Sequence, residues 1–347
     1  MKRIISVALL TVMCSLGQVA QAQLPKLKDT PITAKLGGYI VGDYSYYTDK
    51  DVNKTAGFNL RYARVYVNGT VAKDFKYRLQ AEMAGAPGVN KGPRVIDAYA
   101  EWVKYSWLNV RFGQMKRAFT FENPYNPWTV GFGSYAQIIT KLAGMNDRCG
   151  EHASGGRDLG LMLQGDLFPV GSDEHNLLHY QVGVYNGQGI NHKDANENKD
   201  IIGGLWLSPF KNLQIGAFGW KGKYTGNGVT VDRDRMAFGV KYEGDWTARA
   251  EYITSKGKSV SNASLGDEAD GWYAAVGVPV GDQFKIYGKW DVYRDDKTSA
   301  TQKSLYGIAL NYWLDKNLLL QGGYNFCDDN ALDKTYHMLQ MQVYVRF

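Results

Sequence analysis

The stretch Tyr336-His337-Met338-Leu339-Gln340-Met341-Gln342-Val343-Tyr344-Val345-Arg346-Phe347 decides the fold. His337, Leu339, Met341, Val343, Val345 and Phe347 share one parity. Tyr336, Met338, Gln340, Gln342, Tyr344 and Arg346 share the other. A period of two is the signature of a strand whose faces meet different surroundings, here one oily and one wetter. The stretch stops on an aromatic residue with no polar tail, whereas termini of soluble domains are usually exposed and frayed. A closed barrel in a membrane resolves this: neighbours hold the backbone groups, and the apolar face lies against lipid.

The opposite end supplies the matching compartment. Lys2 and Arg3 precede an apolar run from Ile4 to Leu16, and Ala20-Gln21-Ala22 offers a small-x-small cleavage site. Residues 1–22 read as a cleaved secretory signal peptide, too short for a membrane helix. Residues 23–34 then form a short polar lead. Cys14 lies inside the apolar run, which argues against a lipidated N-terminus. Cys149 and Cys327 remain, enough for one disulfide or two unrelated thiols, with the thiols favoured. Tyr (24), Gly (40) and Trp (9) are abundant among the 347 residues, while the net charge is only +6. That composition suits strands with interfacial aromatic girdles and is far from the charge of a nucleic-acid binder.

From Lys35 onward, sixteen segments of strand character recur. Phe75, Tyr77, Leu79, Ala81 and Met83, for example, alternate with Lys76, Arg78, Gln80 and Glu82. In the segment Gly57 to Val71, Arg61 and Arg64 fall on opposite parities, which predicts a bulge or a shifted register there. Tight connections such as Val71–Asp74, Tyr105–Trp107, Gly244–Asp245 and Asp315–Asn317 alternate with longer ones. The longer set includes Thr48–Ala56, 86–93, Asn186–Lys199, Lys223–Asp234, Ser255–Asp270 and Arg294–Lys303. Short turns on one rim and long loops on the other are expected of an outer-membrane barrel. The fold expected is therefore all-β, a transmembrane antiparallel β-barrel of about 16 strands over residues 35–347.

One connection, residues 117–155, is much longer than the others. It carries Phe119, Phe121, Pro124, Tyr125, Pro127, Trp128, Phe132 and Tyr135. So apolar a third extracellular loop is expected to fold into the lumen, where its aromatics find a wall; a surface lid is the alternative.

Signatures of catalysis are absent from the sequence: no His-Glu-x-x-His, Gly-x-Ser-x-Gly or phosphate-binding loop occurs. His175 and His179, four apart in a strand, stand about 13 Å from each other and do not form a helix-type metal pair. Gly187-Gln188-Gly189 leads into an Asn- and Asp-rich loop and not into a helix, so it reads as a turn. Asp194, Asn196, Asn198 and Asp200 lack the central Gly and terminal Glu of a calcium loop and read as solvated. No enzyme activity, cofactor or metal is expected.

Several motifs, in order, resemble the phosphate-selective porin O and P family. They are Phe58-Asn59-Leu60-Arg61-Tyr62-Ala63-Arg64-Val65, then Gly69-Thr70, Asp74-Phe75-Lys76-Tyr77 and Asp97-Ala98-Tyr99. Val110-Arg111-Phe112-Gly113-Gln114-Met115-Lys116, Gly156-Arg157-Asp158-Leu159-Gly160 and Gly183-Val184-Tyr185-Asn186-Gly187 follow. The resemblance implies a homotrimeric outer-membrane porin with an inward third loop, in which basic residues guide small anions or phosphate. It also implies that Phe347, with Val345 and Val343 on the lipid face, carries the signal read by the barrel assembly machinery.

Parity places Lys76, Arg78, Arg111, Lys241, Arg249, Lys285, Lys289 and Arg346 on the inner face. Glu82, Asp97, Glu101, Asp158, Asp166, Glu243, Glu251 and Asp291 fall there too, so the wall reads as balanced and rich in cross-strand ion pairs. A basic excess gathers around the long loop, at Arg61, Arg64, Lys116, Arg117, Arg148 and Arg157. These are the candidates for a constriction that binds anions. The function expected is passive diffusion of small hydrophilic solutes across the outer membrane, with an anion or phosphate preference. The rival is a non-channel surface barrel in the same lipid that binds ligands or partners through its loops.

Overall fold

The computed structural model describes residues 31–53, 56–84, 92–171 and 175–347. The expected signal peptide, most of the polar lead and part of the 86–93 connection lie outside the described residues. The strands are β1 (Lys35–Tyr47), β2 (Gly57–Ala72), β3 (Phe75–Glu82), β4 (Arg94–Tyr105), β5 (Leu108–Lys116) and β6 (Arg157–Val170). Then come β7 (His175–Tyr185), β8 (Asp200–Phe210), β9 (Leu213–Lys221), β10 (Lys223–Gly226), β11 (Val229–Asp232) and β12 (Asp234–Glu243). The last six are β13 (Thr247–Lys256), β14 (Glu268–Val280), β15 (Phe284–Arg294), β16 (Gln302–Asp315), β17 (Leu318–Asp329) and β18 (Lys334–Arg346).

Sixteen of these strands form one closed barrel, each antiparallel to its sequence neighbour, while β10 and β11 make a separate hairpin in the β9–β12 connection. Closure comes from β18 pairing with β1, with Ile40 opposite Val345 and Val41 opposite Tyr344. No sheet edge is left in the barrel to demand partners. At this seam Phe347 N–H donates to Gly38 O (3.1 Å) and Gly38 N–H returns a bond to Phe347 O (2.9 Å). A Cβ at Gly38 would lie 2.4 Å from the Phe347 ring, so the close approach needs glycine.

Alternation dictates which face each residue occupies. On β18, Leu339, Met341, Val343 and Val345 are exposed, while Gln340, Gln342 and Tyr344 are buried. Elsewhere the exposed face carries Ile201, Leu205, Phe238, Ile308 and Leu310. The buried face carries Arg249, Glu251, Asp291, Asn311 and Gln321. Apolar outside and polar inside is the reverse of a soluble barrel and fits a wall between lipid and a wet lumen. Aromatics collect near the short turns: Tyr105 stacks on Trp107 at 5.3 Å and meets Trp102 edge-on at 5.6 Å. Phe168, Phe210 and Trp246, also exposed, flank three further connections on the same rim.

The opposed parity of Arg61 and Arg64 is explained by a register shift. Val41 pairs with Tyr62 but Gly42 pairs with Leu60, so Arg61 is the extra residue of a bulge. The connection 223–234 contains the β10–β11 hairpin, and the long connection contains two short helices. Cys149 and Cys327 are both buried and free.

Candidate functional site

The connection between β5 and β6 carries helices α1 (Pro127–Val130) and α2 (Gln137–Leu142). Phe119, Ile138, Ile139 and Leu142 are completely buried. They belong to one apolar cluster with Phe218 and Trp220 of β9, Ile253 of β13, Tyr273 of β14 and Tyr287 of β15. Phe121 meets Phe218 edge-on at 5.1 Å, Phe119 meets Trp220 at 5.5 Å, and Phe132 meets Tyr287 at 5.8 Å. Trp128 meets Tyr39 of β1 at 4.8 Å. The wall residues in these contacts are on the buried parity of their strands.

Polar contacts complete the attachment. Glu251 accepts the backbone N–H groups of Phe121 (2.7 Å) and Glu122 (2.9 Å), with Tyr273 donating its hydroxyl at 3.0 Å. Asp291 accepts the N–H of Gln137 at 3.0 Å. Glu122 accepts the N–H of Ala136 at 2.7 Å, and burial raises its carboxyl above the usual range.

The six throat candidates separate into two groups. Arg61 Nη2 donates to Ser134 Oγ at 3.3 Å, and Lys116 Nζ donates to Gly155 O at 2.7 Å and Asn123 Oδ1 at 3.2 Å. Arg157 Nη1 also donates to Gly155 O (3.1 Å) while its Nε binds Asp97 (2.7 Å). Arg64 donates to Glu82 (2.7 Å) and to the Tyr39 hydroxyl (2.6 Å), with its guanidinium over the Tyr62 ring. These four thus gather where β1, β2, β5 and β6 meet the long connection.

Arg117 and Arg148 do not join them. Arg117 is wholly buried between Glu151 (3.0 Å) and Asp158 (2.8 Å). Burial opposes its charge, but the two carboxylates outweigh that and hold the guanidinium protonated above its ordinary range. Arg148 donates to Asp295 (3.1 Å) and to the carbonyls of Gly257 (2.6 Å) and Gly266 (2.8 Å). Both act as fasteners of the connection.

Two arginines outside the candidate list complete the fastening. Arg233 binds Glu151 and Asp200, the latter at 2.6 Å. Arg235 binds Asp147 through two short bonds of 2.5 and 2.6 Å. Against burial, Arg235 holds the Asp147 carboxyl well below the usual range. Arg117, Arg233 and Arg235 surround the Trp220 ring at 4.9, 4.5 and 4.8 Å. Arg235 shares the parity of Lys241, a signal in the alternation that the inner-face residues read from the sequence do not include. Arg233 sits between strands and carried no such signal.

Among the lumen candidates, Arg78 pairs with Asp97 (3.5 Å), Arg111 with Glu101 (2.9 Å), Arg249 with Glu243 (2.6 Å) and Lys289 with Asp291 (3.2 Å). Lys241 lies over Phe121 and Tyr125, Lys285 donates to Thr247 Oγ1 (2.7 Å), and Arg346 lies over Trp128. Asp200, part of the oxygen-rich run, is buried and bound to Arg233, Trp220 Nε1 and the N–H of Lys223. No metal-ligand cluster occurs among the described residues.

Solved structures resemble this fold. An anion-selective porin from Comamonas acidovorans has a TM-score of 0.69 at 15% identity, over 91% of this chain and 100% of that one. OmpF of Salmonella typhi, in complex with daunomycin, has 0.66 at 13%, over 90% and 97%. OmpT of Vibrio cholerae in a trimer form has 0.63 at 12%, over 92% and 100%. No curated protein sequence matches. The family model for Gram-negative porins matches residues 8–332. The lipid-facing wall, the wet inner face and this match agree, and the chain belongs to the Gram-negative porin family, a channel of the outer membrane and not an enzyme.

Proposed function

We propose that this porin prefers anions, phosphate among them, and that residues 117–155 fold into the lumen as its constriction. The observation that carries the preference is the unequal occupancy of charges on the inner face. Glu82, Asp97, Glu101, Asp158 and Glu243 each face an arginine, Glu251 accepts two backbone N–H groups, and Asp291 accepts another beside Lys289. Arg61, Lys76, Lys116, Lys241, Lys285 and Arg346 form no ion pair among the described residues. Among the described residues Asp166 meets only His179 (2.8 Å) and Asp43 only the Ser45 hydroxyl (3.0 Å), so cations without an ionic partner outnumber such acids on the inner face. The motif resemblance adds phosphate to the expected anions, and the Comamonas acidovorans porin of similar fold is anion-selective.

Transport is passive: the inner face replaces part of the solute's hydration, and the constriction sorts by size and charge. The porin assembles as a homotrimer, as the Vibrio OmpT structure does, and sits in outer-membrane lipid after delivery by the barrel assembly machinery. The test is the reversal potential of single channels in a salt gradient. Anion preference is expected in potassium chloride, with chloride current lowered by added phosphate. Cation preference overturns the reading.

A further inference from the structure

We propose that Glu251 and Asp291 are positioning residues whose carboxylates set the width of the pore by clasping the backbone of the long connection. This rests on the reading of residues 117–155 as the constriction. On parity alone both acids count as charges lining the lumen. In the structure neither faces a solute, since both are almost fully buried.

Glu251 uses both oxygens: one takes the N–H of Phe121, and the other takes the N–H of Glu122 and the hydroxyl of Tyr273. Asp291 takes the N–H of Gln137 with both oxygens, at 3.2 and 3.0 Å, and its backbone carbonyl takes the Gln137 side-chain amide at 3.2 Å. Glu122 links the two anchors. Its backbone is held by Glu251, and its own carboxylate holds Ala136, the residue before Gln137. A relay of three carboxylates, each taking a backbone N–H of the connection, thus runs from Glu251 on β13 through Glu122 to Asp291 on β15.

Charge-assisted bonds from backbone N–H to carboxylate are short and directional, so they fix the segment at defined points of the wall. Apolar packing alone is less demanding about position. The same bonds compensate the two charges locally and shield them from the lumen. Both acids therefore act on pore width, which separates this role from that of an ordinary lining charge; Asp291 in addition neutralises Lys289 at 3.2 Å.

Glu251→Gln with Asp291→Asn is the primary test. At residue 251 an NH2 group would replace one acceptor and face an N–H, so the 121–122 anchor opens. The expected result is single-channel conductance raised about twofold, greater open-channel noise and entry of larger neutral sugars into liposomes; Glu251→Gln alone leaves the reversal potential unchanged, whereas Asp291→Asn also frees Lys289 and moves it toward anions. Unchanged conductance and size limit in folded channels overturn the proposal. So does a shift toward anions with conductance unchanged, which would make the two acids ordinary lining charges.

Glu251→Asp covers the case in which the double variant fails to fold. It keeps the charge but withdraws the carboxylate by one methylene, and it too is expected to raise conductance; wild-type behaviour overturns the clasp. Deletion of residues 119–154 separates the two levels. Unchanged conductance after deletion overturns the constriction reading, whereas raised conductance beside a silent Glu251→Gln/Asp291→Asn variant overturns only the clasp.

Discussion

At the scale of the residue, a buried charge in this chain is tolerable only because its partner sits within bonding distance. Arg235 and Asp147 illustrate the rule: both side chains are essentially inaccessible, and two bonds join them. Arg235→Met leaves Asp147 without its partner, and breaking such a pair costs about 3–5 kcal/mol. Thermal unfolding in detergent should therefore occur at a clearly lower temperature, and pairing the change with Asp147→Leu should restore most of the loss. Acid should leave this contribution intact over the usual range. The Asp147 carboxyl is depressed in the folded state, so its contribution is present above the ordinary aspartate range and is lost only as pH falls through the lower folded value. Glu122 has the opposite sign. Its carboxyl is raised by burial, so its contribution is full below the ordinary glutamate range and is lost as pH rises through the folded value. Glu122→Gln keeps an oxygen for the Ala136 N–H and removes the ionisation. It should flatten any loss of unfolding temperature as pH rises above the ordinary glutamate range, and an unchanged pH profile would assign that loss to other groups.

At the scale of the element, the strands and the lengths of their connections are legible in the sequence, but the structure inside the connections is not. Each barrel strand is half lipid-facing and half water-facing, so the environment writes a period of two into the sequence, as in β3 and β18. The connections have no such two-sided environment. The β10–β11 hairpin and the helices of residues 127–130 and 137–142 are too short to show a period, so they read as plain loop. Parity also gave the side of the wall for Lys241 and Glu251 but not their occupancy. Whether a charge meets a solute depends on contacts such as Glu251 with Phe121, more than a hundred positions away in sequence. Arg117 shows the consequence. Its position at the loop entrance suggested a selectivity residue, yet its guanidinium is saturated by Glu151 and Asp158, so Arg117→Glu would test folding instead of selectivity. Lys116 and Arg61 form no ion pair among the described residues and are the better probes. At about 10 Å through water, one unit charge changes the energy of a passing ion by roughly 0.4 kcal/mol. Each charge reversal, Lys116→Glu or Arg61→Glu, shifts the fixed charge by two units with opposite effect on anion and cation, and should lower the anion-to-cation permeability ratio roughly sixteenfold. A ratio unchanged in both variants would remove them from the conduction path.

At the scale of the whole molecule, one seam has to hold a barrel whose other neighbours are all joined in sequence order. The seam is β1 with β18, and its geometry is set by small and large residues in contact: Gly38 lies under the Phe347 ring and exchanges two backbone bonds with it. The terminal residues thus bear on two separate things, closure of the barrel and the assembly signal proposed for Phe347, Val345 and Val343. The two separate by experiment because closure uses the Phe347 backbone, whereas recognition by another protein would use the exposed ring. Phe347→Ser keeps both backbone bonds and loses the ring. Refolding of this variant into detergent or lipid, without any assembly protein, should match the wild type within about twofold, because the exposed ring adds little to a closed seam. Its level in the outer membrane of cells should fall several-fold. Gly38→Val is the reciprocal case: the added side chain collides with the ring and with Arg64 O, so refolding in vitro should slow and the cellular level should fall with it. Both are read by the heat-dependent mobility that distinguishes closed from unfolded barrels on gels. Equal losses for Phe347→Ser in vitro and in cells would make the ring a packing element of the seam and withdraw it as an assembly signal.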